Sequence, residues 1–132
     1  MPIIDRIPGS TGYSHAVTVT GRLAFVSGQV ALDASGNLVG AGDVAEQTRQ
    51  SLRNLADILT TLGATWADVV RFNWYLVDIQ ALQTVRDVRE EFLRPVLGDT
   101  CNPASSLIQV AGLFRPDCLI EVDAVVALPE SA

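Results

Sequence analysis

Apolar residues recur along this chain with two different periods, and the switches between them mark its elements. From Val44 onward, Val44, Thr48, Leu52, Leu55, Leu59 and Leu62 fall at the spacing of one helical face. Asp43 can cap this helix, Glu46 stands where a capping-box partner belongs, and Gly63 supplies the stop. From Val70 the period becomes two. Val70, Phe72, Trp74 and Leu76 point one way, while Arg71, Asn73, Tyr75 and Val77 point the other, which predicts a strand with one buried face. A second helix is predicted over about Ile79 to Phe92, with Leu82, Val85, Val88 and Phe92 as its apolar stripe and charged residues between them; Pro95 and Gly98 come after it.

Shorter runs fill in the rest. His15 to Val19 and Leu23 to Ser27 are β-type segments separated by Thr20-Gly21-Arg22, the pattern of a hairpin, and a further short strand is expected from near Gln29. Asp33 to Asn37 form a turn, after which Leu38 and Val39 pair briefly. Two last strands, about Ser105 to Val110 and Leu119 to Leu128, are joined by a turn from Gly112 to Asp117. The expected order is βββαβαββ, an α+β fold in one domain over residues 1–132. Two amphipathic helices cover one face of such a sheet. The strands are apolar on both faces, so self-association is the simplest way to bury the other.

Composition narrows the classes. Hydrophobic residues make up 48% and charged residues 18% of the 132 positions, a folded composition that is apolar for its size and again points to a subunit interface. The net charge is −6 with a pI near 4.5, and no Lys/Arg cluster offers the basic patch that displaces counterions from phosphates, which disfavours nucleic acid as a partner. No apolar run reaches the ~18 residues of a membrane span, and Met-Pro-Ile-Ile-Asp-Arg lacks a basic-then-apolar signal pattern, so a soluble, cytoplasmic protein is expected. Cys101 and Cys118 have no CxxC spacing, and the single histidine, His15, cannot complete a His-rich site; free thiols and no structural metal are expected.

Candidate chemistry centres on the last strand. Ile120, Val122, Ala124, Val126 and Leu128 share one face, which puts Glu121 and Asp123 together on the other. An acid embedded in Leu-Ile-Glu-Val-Asp-Ala-Val-Val faces a desolvation cost unless partnered. Two readings of Glu121 stand side by side: a general base or water-holding acid in a cleft, or an acid that faces solvent or pairs with an arginine across an interface. His15 could exchange protons near neutral pH, although without an identifiable partner it fits a surface or hydrogen-bonded histidine better. Ser105 and Ser106 lie in no Gly-x-Ser-x-Gly elbow, the glycines near Gly36 and Gly40 match no phosphate-cradling motif, and Trp66 and Trp74 suit a core or interface.

Four segments carry a resemblance. Gly12-Tyr13-Ser14-His15-Ala16-Val17 and Phe25-Val26-Ser27-Gly28-Gln29-Val30 resemble the Gly-Pro-Tyr-Ser-x-Ala and Ser-Gly-Gln-hydrophobic segments of the YjgF/RidA (reactive intermediate deaminase, endoribonuclease L-PSP-like) family, with Gly12 where proline is usual. The helix around Gln50-Ser51-Leu52-Arg53-Asn54-Leu55 and the stretch from Asn102-Pro103-Ala104 through Leu119-Ile120-Glu121-Val122 complete the match, which spans nearly the whole chain. The resemblance implies a chorismate-mutase-like subunit, a homotrimer with ligand clefts between subunits, and hydrolysis of enamines and imines to ketone and ammonia without metal or organic cofactor. It implies that Glu121 holds the attacking water, that Tyr13 lines the cleft and that Gly28 makes a backbone contact. The family's carboxylate-gripping arginine is replaced by Ser105, and Leu107 and Gln109, on the same strand face, replace a frequent cysteine and glutamate. A serine offers one neutral donor in place of two charged ones, so small 2-imino acids are expected to be poor substrates. Arg22, Arg71 and Arg115 are the other arginines considered for the cleft.

The expectation is therefore a RidA-like hydrolase of an imine, enamine or related C–N metabolite, with Glu121 activating water and Tyr13 or His15 assisting proton transfer. Its alternative is a non-catalytic trimer that binds a small metabolite in the same clefts. The ribonuclease label carried by some relatives conflicts with the acidic charge and the lack of a histidine pair.

Overall fold

In the computed structural model, which describes residues 3–9 and 12–129, the chain forms β1 (Ile4–Pro8), β2 (Ser14–Val19), β3 (Leu23–Gln29), α1 (Val44–Thr61), β4 (Val69–Leu76), α2 (Leu82–Leu97), β5 (Ala104–Gln109) and β6 (Ile120–Ala127), with short 3-10 turns at Trp66–Asp68 and Ile79–Ala81. The expected order βββαβαββ and the α+β class hold. The identity and pairing of the first strands differ. β2 does not fold back on β3; it pairs antiparallel with β1, from Ile4 opposite Val19 to Ile7 opposite Ala16. β1 is hard to see in the sequence because Asp5 and Arg6 interrupt its short apolar run. β3 instead pairs antiparallel with β6, where Ala24 and Val26 join the core beside Ala124 and Val126. It ends at Gln29, where a new strand was expected to start; the segment between β3 and α1 contributes the isolated bridge Leu32–Leu38, which closes the Asp33 turn.

The main sheet has the order β3-β6-β4-β5, with β4 and β5 parallel and the other pairs antiparallel. β5 and β6 are consecutive in sequence but separated by β4, so the turn between them is a crossover and not a hairpin. Asp43 caps α1 as expected, its carboxylate accepting from Glu46 N at 3.1 Å. α2 runs past Phe92 and through Pro95 to Leu97. Leu93 and Leu97 are buried and anchor a final turn that tolerates one missing backbone donor.

Both helices pack on one sheet face. Leu52, Leu55 and Leu59 of α1 and Val85 and Val88 of α2 close over Phe72, Trp74, Ile120 and Val122. The opposite face keeps Phe25 77% exposed and Ile108 52% exposed, close to Val125 and Tyr75 in register. Three polar residues of α1, Gln47, Thr48 and Ser51, are fully inside; of these Gln47 reaches furthest along the chain, donating through Nε2 to the carbonyls of Gly40 and Asp117, both at 3.1 Å, and accepting from Leu119 N at 2.8 Å. It ties the start of α1 to the residues entering β6. No helix among the described residues is long and apolar enough to cross a membrane.

Candidate functional site

Alternation along β6 gives its two acids the same outward face but different surroundings. Asp123 is satisfied at both oxygens, by Asn73 Nδ2 at 2.8 Å and by the Tyr75 hydroxyl at 2.9 Å. The hydrogen bond to Asp123, followed by burial, holds the Tyr75 hydroxyl above its ordinary pKa. Glu121 is half-buried and makes no hydrogen bond or ion pair with a described residue; burial first, and the Asp123 charge second, push its carboxyl above the usual carboxylate range. Arg71 does not relieve it, since its guanidinium bonds Asn73 Oδ1 at 3.1 Å and Ser106 Oγ at 2.6 Å.

Gly28 lies directly against this acid. A Cβ built there would fall inside contact distance of Glu121 Oε2 and within 2.5 Å of its Cδ. The absent side chain is what lets the carboxylate rest on the β3 backbone, next to the register shift between Val26 and Gln29. Gly28→Ala is expected to leave the fold intact, because the position is exposed, and to displace Glu121. A ligand-binding or turnover assay alongside a thermal melt checks this: loss in the first with little change in the second is expected, and unaltered function would contradict the placement.

The other expected residues gather on the helix-covered side. A cavity of about 330 Å³ opens between β5 and α2. Ser105, Leu107 and Trp74 form its sheet wall, Leu82, Val85, Arg86 and Arg89 its helix wall, and Tyr13 and Ile79 complete the lining. Register explains the sheet wall, since Ser105 lies beside Phe72 and Leu107 beside Trp74 on parallel strands, with side chains on the same face. Tyr13 arrives because Ser14 is tied twice to the Asn102-Pro103 segment, its N–H donating to Pro103 O at 2.9 Å and its hydroxyl to Asn102 O at 2.6 Å. His15 is exposed beside Tyr13, ring centroids 5.7 Å apart and edge to face. Gln109 props the cavity rim, its Oε1 accepting from Ile79 N at 2.8 Å.

The sequence-derived site thus divides. Glu121 and Gly28 occupy the outer sheet face; Tyr13, Ser105 and Leu107 line a cavity on the inner one, with His15 and Gln109 at its edge. The sheet stands between the groups, so one small molecule can touch both only if they come from two chains. Arg71 and Arg115 are engaged elsewhere, Arg115 with Asp117 at 2.8 Å. The cavity arginines, Arg86 and Arg89, were overlooked among the charges between the apolar positions of α2. The signal was present: Leu82, Val85, Arg86 and Arg89 have the i, i+3, i+4, i+7 spacing of a single face.

Known proteins align with nearly the whole chain. The family model described as Endoribonuclease L-PSP matches residues 3–128. The 2-iminobutanoate/2-iminopropanoate deaminase of Homo sapiens is 34% identical over 121 residues, 91% of this chain and 83% of that protein. A RutC family protein of Synechocystis sp. is 33% identical over 126 residues, 94% of this chain and 92% of its own. The crystal structure of a protein of the conserved Rid family from Yersinia pestis superposes with a TM-score of 0.79 at 39% identity, covering 89% of this chain and 87% of that one.

Proposed function

From the premise that the chain belongs to the Endoribonuclease L-PSP family, the YjgF/RidA proteins, we propose that it hydrolyses an imine or enamine to a carbonyl compound and ammonia, with Glu121 as the group that activates water. The observation that carries this reading is the state of Glu121: a half-buried carboxylate, raised in pKa, lying against Gly28 with no partner among the described residues. A carboxylate in that condition is a stronger base than an exposed one. It accepts a proton as water adds to the carbon of the protonated imine, which leaves a neutral carbinolamine. Returning that proton to nitrogen lets the C–N bond break, and as the hydroxyl gives up its own proton to solvent, ammonia departs and the carbonyl forms. Tyr13 and His15 are placed in this reading as proton-transfer aids.

The reading needs two chains, and the exposed Phe25, Ile108 and Leu23 on the outer sheet face support it, since they favour burial against another copy. The assembly in this proposal is a homotrimer with a cleft at each junction, acting on a small molecule in the cytoplasm and not on nucleic acid. Phe25→Glu, which puts a charge into that apolar face, is expected to yield monomers by light scattering and to abolish turnover together with assembly; a monomeric wild type would remove the shared cleft. The reaction itself is tested by ammonia release from freshly generated 2-iminopropanoate and from imines with bulkier hydrocarbon groups. Hydrolysis of the bulkier compounds with poor use of 2-iminopropanoate is expected. Turnover of none of them would discard the hydrolase in favour of a metabolite-binding trimer.

A further inference from the structure

The cavity between β5 and α2 has a one-sided chemistry. Its polar lining consists of Tyr13, Trp74, Arg86, Arg89 and Ser105, all capable of donating hydrogen bonds, and no carboxylate side chain among the described residues lines it. Trp74 is 2% exposed and its indole N–H is buried without an acceptor among the described residues, an uncommon condition for a native polar group. Arg89 is partly neutralised by Glu90 at 2.7 Å, whereas Arg86 forms no ion pair with a described residue. The remaining lining, Leu82, Val85, Leu107 and Ile79, is apolar.

We propose that the α2 wall of this cavity, with Arg86 as its principal residue and Arg89 beside it, recognises the carboxylate of a ligand whose hydrocarbon part packs on Leu107 and Leu82. An arginine fork matches a planar carboxylate through two parallel charged hydrogen bonds, and neutral donors can take up its remaining lone pairs. Two features of the chain accommodate this arrangement. Ser105 projects only a hydroxyl into the cavity, leaving its volume open. Gly12 has φ +85°, and a Cβ there would lie within 2.9 Å of Arg89 Cζ, so the guanidinium rests in space that only glycine leaves free. A proline at that position, with φ fixed near about −65°, could not adopt this backbone.

The volume adds the size of the ligand. At about 330 Å³, the cavity falls at the lower end of the ~300–1,000 Å³ range of small-molecule sites, well beyond what a three-carbon acid fills. The inference deepens the deaminase reading and rests on it only for the identity of the reacting group, which makes the substrate an imine or enamine of a carboxylic acid with a branched or extended hydrocarbon chain.

The test separates the two. Binding of 4-methyl-2-oxopentanoate, a carbonyl acid with no C–N bond to hydrolyse, and of its neutral methyl ester is measured on the assembled wild-type protein by calorimetry and by tryptophan fluorescence. The acid is expected to bind about tenfold tighter than the ester or better, with a change in emission from Trp74. Arg86→Gln should abolish that preference, and Arg86→Lys should restore part of it. An equal affinity of the wild type for acid and ester, a preference that survives in Arg86→Gln, or tighter binding of inorganic phosphate than of the acid would each overturn the assignment. Failure of the hydrolase reading shows separately, as a lack of ammonia release by a protein that still distinguishes acid from ester.

Discussion

Glu121→Gln is expected to lower turnover by about 10²–10⁴-fold, the range over which a positioned general base acts, while the variant remains folded and assembled. Glutamine keeps the size of the side chain and its contact with Gly28 but cannot take a proton from water. The same substitution should raise thermal stability at neutral pH. The folded state holds the Glu121 proton more tightly than the unfolded chain does, because burial and the Asp123 charge disfavour ionisation. The stability linked to that proton is present below the ordinary glutamate pKa and is lost as pH rises through the folded value. Melting curves of wild type and variant should therefore coincide in acid and separate in favour of the variant as pH rises. The acid limb of the wild-type kcat/KM profile should lie above the ordinary carboxylate range, and the variant should lack it. A variant that turns over substrate at the wild-type rate would remove Glu121 from the mechanism.

Gln47→Leu should produce the largest loss of stability, about 3 kcal/mol or more, since a buried group stripped of its partner costs ~1–3 kcal/mol and this change strips three. The side chain is fully buried, and the carbonyls of Gly40 and Asp117 and the N–H of Leu119 all depend on it. Leucine has a similar volume, so the effect isolates hydrogen bonding from packing. A drop in melting temperature on the order of 10 °C is expected for a domain of this size. Because Leu119 stands two residues before Glu121, the surviving folded fraction should also show weakened turnover. An unchanged denaturation midpoint would mean that water or a backbone shift satisfies those groups.

Gln47 also shows where sequence reasoning stopped. In the helical pattern it is one more polar residue between apolar ones, and nothing local says that it faces the crossover into β6. That direction is set by a contact seventy positions away in sequence. The same holds for Arg86 and Arg89, which the pattern gives only as charges between the apolar positions of the helix, while their place on it puts them on the face that closes over β5. The hairpin expected from Thr20-Gly21-Arg22 failed for a related reason. Adjacent β-type segments pair locally only if no better edge is available, and β6 offered β3 an apolar partner from the far end of the chain.

The sequence by itself determined the identity of most elements, because the periods of 3.6 and 2 arise from backbone geometry within each segment. It determined the buried and outward faces of β4 from Phe72 to Leu76 and of β6 from Ile120 to Val126, with the two acids on the outward one, for the same reason; at the start of β4 a register shift between Val69 and Arg71 puts Val69 in the core where Val70 was expected. The motif segments were enough to indicate the family. Tertiary structure alone decided which strands are neighbours, that Asp123 is bonded while Glu121 has no partner among the described residues, and that Glu121 and Ser105 lie on opposite sides of one sheet. It also decided that two arginines of α2 face the cavity beside Ser105. These are outcomes of long-range packing, in which each segment takes the partner that buries most apolar surface and satisfies most polar groups, and that comparison is made across the whole chain.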